Sequence, residues 1–205
     1  MTSFDALIIG GGVAGMQCAL VLGSAKNKPF AKSKKMGIIM HQKASHLQNA
    51  LFNNVLGISP KTLGKDILLD GKLQLSRLYP EVLQIEHEKV LEIITNKENY
   101  TIVTTKSRYL ATTLVIALNY SKPFTIKGLE NFLVPHKRAN PTKDRIELKN
   151  RNYKIRKNLY CCGTIAGIRS QFAIAAGSGA SVATDILTEW NNHVPTKIHD
   201  KIGTH

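Results

Sequence analysis

The sequence predicts an α/β fold in three layers, with a central parallel sheet and an inserted β-meander. Three observations carry that expectation. Residues 6–22, ALIIGGGVAGMQCALVL, read as a buried strand, a glycine turn and the start of a helix. A second apolar run, Met36–Met40, follows closely enough to complete a strand–helix–strand unit with parallel strands. Far along the chain, three alternating strands precede an apolar strand at 159–162, which ends in glycine and leads into an Ala/Gly-rich helix.

Composition sets the bounds. The 205 residues are 43% hydrophobic and 20% charged, as in an ordinary globular protein with a core of its own. No apolar run is long enough to span a bilayer. The N-terminus lacks a basic region followed by an apolar segment and a cleavage site, so the expected location is cytoplasmic. Three cysteines, two of them adjacent, form neither a disulfide framework nor a C-x-x-C pair. Lys and Arg number 28 against 14 acids, a formal charge of +14 that favours anionic partners. The cations are spread over 26–43, 137–157 and the C-terminus, which reads as a solvated basic surface. Without a clustered face or an aromatic platform, the charge argues against nucleic acid as the partner.

Taken in order, Phe4–Ile9 is apolar almost throughout, as a strand buried on both faces requires. Gly10, Gly12 and Gly15 then stand at G-x-G-x-x-G spacing. Gly10 allows the tight turn, Gly12 lets backbone approach a pyrophosphate, and Gly15 lets the following helix lie against the sheet. The helix at 13–24 aims its N-terminal amides and positive dipole end at that phosphate. A basic loop at 26–35, broken by Pro29, leads to the strand 36–40. An acid is expected at the end of this strand to hold a ribose. The chain instead has His41, Gln42 and Lys43, which argues against NAD. His41 and Gln42 can still hydrogen-bond a ribose and Lys43 tolerates a 2′-phosphate; alternatively, His41 is a solvated strand end.

A helix is expected at 64–78 and a strand at 81–85. The meander follows at 89–95, 100–105 and 108–117, its last strand apolar enough to re-enter the sheet. Residues 119–158 change character: they are rich in Lys, Arg, Asn and Pro, and read as a basic connector with one hairpin, 146–148 against 153–155. The last strand is 159–162 and a long helix covers 170–190, giving a single domain over 1–190 and a flexible tail at 191–205. Cys161 and Cys162 point to opposite faces of a strand and read as core. His46, His87 and His136 lack metal-ligand spacing, so no metal site is expected. Ala173, Ala176, Gly177 and Ala180 form a small-residue face for close packing, within the chain or on a partner.

Four stretches together resemble thioredoxin-reductase-like flavoproteins of the pyridine nucleotide-disulfide oxidoreductase superfamily. They are GGGVAG at 10–15; HLQNALFNNVLGISPKTLGKDILLDGKLQLSRLYP at 46–80; Leu114–Asn119, where the family has an alanine-threonine-glycine turn; and LYCCGTIAGIRSQFAIAAGSGASVATDILTE at 159–189. The resemblance implies a Rossmann-like FAD-binding domain built from both ends of the chain. It places FAD on Gly10, Gly12, Val13, Ala14 and Gly15, with His41 and Gln42 at the ribose. Gln48, Ala117, Gly163, Thr164, Gln171 and Phe172 fall at further cofactor-binding positions, and His46 lies in a segment near the flavin. A homodimer is implied by the same analogy.

The departures are as informative. The family inserts an NADPH domain where this chain has 119–158. No second G-x-G-x-x-G and no C-x-x-C occur, Thr164 stands where the family has a ribityl-binding aspartate, and His41 replaces the ribose acid. The expectation is therefore an FAD oxidoreductase whose flavin is reduced by its substrate or by an external redox partner. The competing expectation is a non-catalytic flavin- or dinucleotide-binding module.

Overall fold

In the computed structural model, which describes residues 1–42 and 45–199, strand β1 (Thr2–Ile9) divides its side chains between two cores. Ala6 and Ile8 face one, Leu7 and Ile9 the other. Helix α1 (Val13–Ser24) follows and returns the chain to β2 (Met36–Met40), which pairs in parallel with β1. Two short strands, β3 (Leu51–Phe52) and β4 (Thr62–Leu63), make a small separate hairpin before α2 (Gly64–Leu78). Strand β5 (Val82–Glu86) extends the sheet in parallel beyond β2.

The meander is β6 (Val90–Thr95), β7 (Tyr100–Thr104) and β8 (Arg108–Ile116). β8 is long enough to serve two partners in succession. Its first half pairs antiparallel with β7, and its second half runs parallel to β12 (Leu159–Cys161). Its other edge lies along β1 for the whole length. The main sheet thus reads β11–β12–β8–β1–β2–β5, where β11 is Lys154–Arg156, with the meander attached through β7. Helix α3 (Phe172–Trp190) closes the fold against α1. Helices cover one face of the sheet, and the meander and connector cover the other, so the three-layer Rossmann-like expectation holds.

One expected pairing is overturned. Ile146–Leu148 does not pair with 153–155; as β10 it pairs antiparallel with β9 (Leu133–Pro135). β11 pairs instead with β12 through a two-residue turn in which Asn158 takes a left-handed φ of +58°. The reason lies at the sheet edge. Without β11, the buried strand β12 would expose a free hydrogen-bonding edge. Ile146 and Leu148 are meanwhile drawn into the core under the connector, being 5% and 0% exposed.

The adjacent cysteines do point to opposite faces, Cys161 into one core and Cys162 into the other. The tail is tied down over part of its length: the Thr196 amide donates to Thr188 Oγ1 at 3.1 Å and Ile198 packs on the helical core. Residues 200–205 lie outside the described residues. Among the described residues no helix is long and apolar enough to cross a membrane.

α3 packs on α1 through a position other than the expected small-residue face. Ala173 and Gly177 are exposed, whereas Gly179 is buried, and a Cβ there would lie 2.0 Å from the Ala14 carbonyl oxygen. Gly179→Ala should therefore cost about 1–3 kcal/mol, the range for overpacking a fitted core. A Cβ at Gly177 meets nothing within 4 Å. Gly177→Ala should be neutral or stabilising by up to about 1 kcal/mol, from helix propensity alone. Urea unfolding of the two variants checks the contrast.

Candidate functional site

The carboxyl ends of β1, β8 and β12 converge on the glycine turn. Gly10 has φ +119°, and a Cβ on it would lie 2.2 Å from the Ala117 carbonyl oxygen, so only glycine admits β8 this close. Gly15 gives the same freedom to α1, since its Cβ would fall 1.9 Å from the Gly10 carbonyl oxygen. Gly12 differs. It caps α1 with no side-chain hydrogen bond, and a Cβ on it would meet nothing nearer than Ser45 Oγ at 3.9 Å. Space therefore lies directly outside the first amides of α1.

That space is a cleft of about 290 Å³. It gathers Gly12, Val13 and Ala14 from one end of the chain, and Gly163, Thr164, Gln171 and Phe172 from the other, with His46 and Ala117 between. The N-terminus of α3 opens here as well, capped by Gln171 without a side-chain hydrogen bond. Neither α1 nor α3 carries an acid in its first turn. Two helix N-termini thus present unsatisfied amides and positive dipole ends to one cavity, an arrangement suited to an anion.

Not every expected residue lies in this cleft. Gly10 and Gly15 sit beneath it and set its shape. His41, Gln42 and Gln48 line an adjoining cleft of about 540 Å³ beyond the end of β2. Gln42 Nε2 donates to the Gly11 carbonyl at 2.8 Å, and Gln48 Nε2 to the Gln42 carbonyl at 3.2 Å, so both amides brace the loop beside the glycine turn. Lys43 lies outside the described residues. The Gly163 amide donates to Ser178 Oγ at 2.8 Å, which leaves Gly163 to shape the turn through its φ of +76°. Thr164 lines the cleft.

Several residues at the cleft were not singled out from the sequence: Ser45, Leu47, Ala50 and Phe52. Ser45 Oγ accepts from the Leu47 amide and caps a 3-10 turn, His46–Asn49. Phe52 stands edge-on to Phe172, ring centroids 5.1 Å apart, and joins the two ends of the chain across the cleft. A cap serine followed by apolar residues was the available signal, but a two-residue strand shows no period.

The connector packs behind His46. Tyr120 lies edge-on to His46 at 5.8 Å and packs on His136 at 5.2 Å, with the Arg145 guanidinium 5.0 Å over its ring. The Arg138 amide donates to His136 Nδ1 at 3.1 Å, so Nε2 carries the proton and donates to the Thr164 carbonyl, also at 3.1 Å. Burial, and then the Arg145 charge, holds the His46 imidazole below the usual histidine range. His46 therefore meets the cleft as a neutral ring at physiological pH.

The fold is that of a Rossmann-like α/β domain, and its cleft suits an anionic group. Residues 4–181 match the pyridine nucleotide-disulphide oxidoreductase family, and the chain belongs to it. FAD is the cofactor of this family. The open space at Gly12 and the two uncapped helix ends fit that group: Gly12, Val13 and Ala14 would hold its pyrophosphate.

Solved structures of the same fold include a thioredoxin reductase from Gloeobacter violaceus, 12% identical with a TM-score of 0.73, over 98% of this chain and 100% of that one. A ferredoxin-flavin thioredoxin reductase from Clostridium acetobutylicum is 17% identical with a TM-score of 0.68, over 94% and 99%. An oxidoreductase from Agrobacterium tumefaciens is 13% identical with a TM-score of 0.69, over 92% and 98%. No curated protein matches the chain. Residues 117–158 alone connect β8 to β12, and the sequence has no C-x-x-C.

The cysteines complete the picture of a site without a dithiol. All three are buried, and burial pushes the Cys161 thiol up to about 12 and raises those of Cys18 and Cys162 as well. A thiol-specific reagent should react with none of them at neutral pH in the native protein, and with all three once denaturant is added.

Proposed function

We propose that this protein is an FAD-dependent oxidoreductase whose flavin receives electrons from its substrate or from a separate redox protein. The observation that carries the reading is the convergence of two acid-free, uncapped helix N-termini on one glycine-floored cleft. The pyrophosphate would sit outside the α1 amides at Gly12–Ala14. The adenosine end would reach towards His41 and Gln42, and the flavin ring towards His46, Gln171 and Phe172. Bound FAD would supply two-electron acceptance with proton uptake. The residues around it bind and orient: Phe52 and Phe172 exclude water, Thr164 offers a neutral hydroxyl in place of a carboxylate, and His46 is placed to hold or release a proton.

Thr164 also motivates the second reading, a flavin- or dinucleotide-binding subunit that does not turn over. A hydroxyl keeps a hydrogen bond to the cofactor but contributes no charge. Anaerobic addition of candidate reductants separates the two readings. A yellow protein that bleaches with a physiological donor supports the first, one that bleaches only with dithionite supports the second, and one that neither holds nor takes up FAD excludes both.

Gly12→Asp gives a test specific to the cradle. Its backbone (φ −81°, ψ −171°) is open to any residue, and the added side chain enters free space. Aspartate is a better N-cap than glycine by only a few tenths of a kcal/mol, so unliganded stability should rise by about 0.3 kcal/mol. The same carboxylate would occupy the phosphate position, and FAD affinity should fall by more than about tenfold, roughly 1.4 kcal/mol or more. Thermal unfolding of the apoprotein and flavin fluorescence titration would read the opposite signs. Unchanged affinity would remove the pyrophosphate from this helix end.

A further inference from the structure

Residues 119–158 hold eleven of the chain's 28 Lys and Arg but only three of its 14 acids. All three acids are engaged. Asp144 pairs with Lys122 at 2.6 Å, Glu130 accepts from the Gly128 amide at 2.8 Å, and Glu147 is 5% exposed and pairs with Lys137 at 3.4 Å. Arg138, Lys143, Lys149 and Arg151 are exposed and form no ion pair among the described residues.

The fold places this surplus beside the cleft. Arg138 lies two residues from His136, whose ring donates to the Thr164 carbonyl. Lys149 and Arg151 flank Asn150, whose side chain donates to the Ala166 carbonyl at 3.2 Å. The Glu147 carboxylate seats against Gly167, where a Cβ would lie 2.3 Å from Oε2. Three parts of the connector therefore grip the 163–167 turn that walls the cleft, and their free cations stand outside it. The exposed Arg169, two residues past that turn, adds another.

We infer that this basic rim is a docking face for an acidic electron-carrier protein that serves the cleft. The inference rests on the flavin reading above. Charge complementarity supports a protein partner: uncompensated, exposed cations steer an anionic partner into encounter and leave it free to depart, as electron exchange in passing requires. A small anionic ligand would instead need convergent, partly buried donors, and these four side chains are exposed.

The test measures binding without turnover. Oxidised plant-type ferredoxin is the acidic probe, with cytochrome c as a basic carrier and a duplex DNA as a different polyanion. Ferredoxin should bind the wild-type protein, and its Kd should rise steeply as ionic strength goes from about 0.01 to about 0.15 M, where the Debye length falls from about 30 to about 8 Å. The triple variant Arg138→Glu/Lys149→Glu/Arg151→Glu should weaken ferredoxin binding by at least about tenfold, with FAD absorbance unchanged as the measure of an intact fold. Binding of cytochrome c as tight as that of ferredoxin, a variant within about twofold of wild type, or preference for DNA would each overturn the docking face. A yellow protein that ignores ferredoxin defeats this inference alone, whereas one that binds ferredoxin but neither holds nor takes up FAD defeats the flavin reading and, with it, the electron-carrier role of the face.

Discussion

The cleft depends on backbones touching where side chains would hold them apart. Gly15 rests on the Gly10 carbonyl, Gly10 rests on the Ala117 carbonyl, and Gly179 rests on the Ala14 carbonyl. These contacts clamp the first turn of α1 between the end of β8 and the middle of α3. The dipole and free amides of a helix act over its first turn only, so their chemical value depends on where that turn is fixed. Both ends of the chain are needed to fix it. The strand–helix–strand unit by itself would hold a glycine turn but leave the cleft without its second wall.

What could be read from the sequence follows from the same physics. The bounds 13–24, 36–40 and 64–78 are those of α1, β2 and α2, because caps, apolar period and glycine spacing act within a few residues of one another. The division of Cys161 and Cys162 between two cores also follows from strand alternation alone. The pairing of β10 with β9 could not be read this way. Ile146 to Leu148 shows the same short apolar pattern whichever neighbour it joins, and the choice is made by an edge strand elsewhere. Phe52 was hidden for a related reason, since a two-residue strand carries no periodicity. His136 was judged by its spacing to other histidines, a rule for metal ligands that is silent on a ring whose partner is a carbonyl 28 residues away.

The connector is more than a filler between β8 and β12. Its hairpin buries Ile146 and Leu148, its Glu147 fits against Gly167, whose φ of +79° favours glycine, and its His136 orients the carbonyl of Thr164. This segment packs on the 163–167 turn as a wall of the domain. The wall also brings Arg145 behind Tyr120 and His46, so a segment that looks like surface charge in the sequence reaches the cleft through two rings.

The electrostatic departures from the family pattern all have one sign. By the resemblance, His41 stands where a ribose-binding acid is expected and Thr164 where a ribityl-binding aspartate is expected. Each change removes negative charge from around the cofactor position, while Arg145 adds positive charge at one remove. On the proposed reading, a more positive cleft favours the electron-rich, reduced form of a bound flavin over the oxidised one, since the same groups attract the added charge. A flavin shifted in this direction accepts electrons from weaker donors. That property suits the proposed reading, in which the flavin is reduced by molecules it meets only briefly.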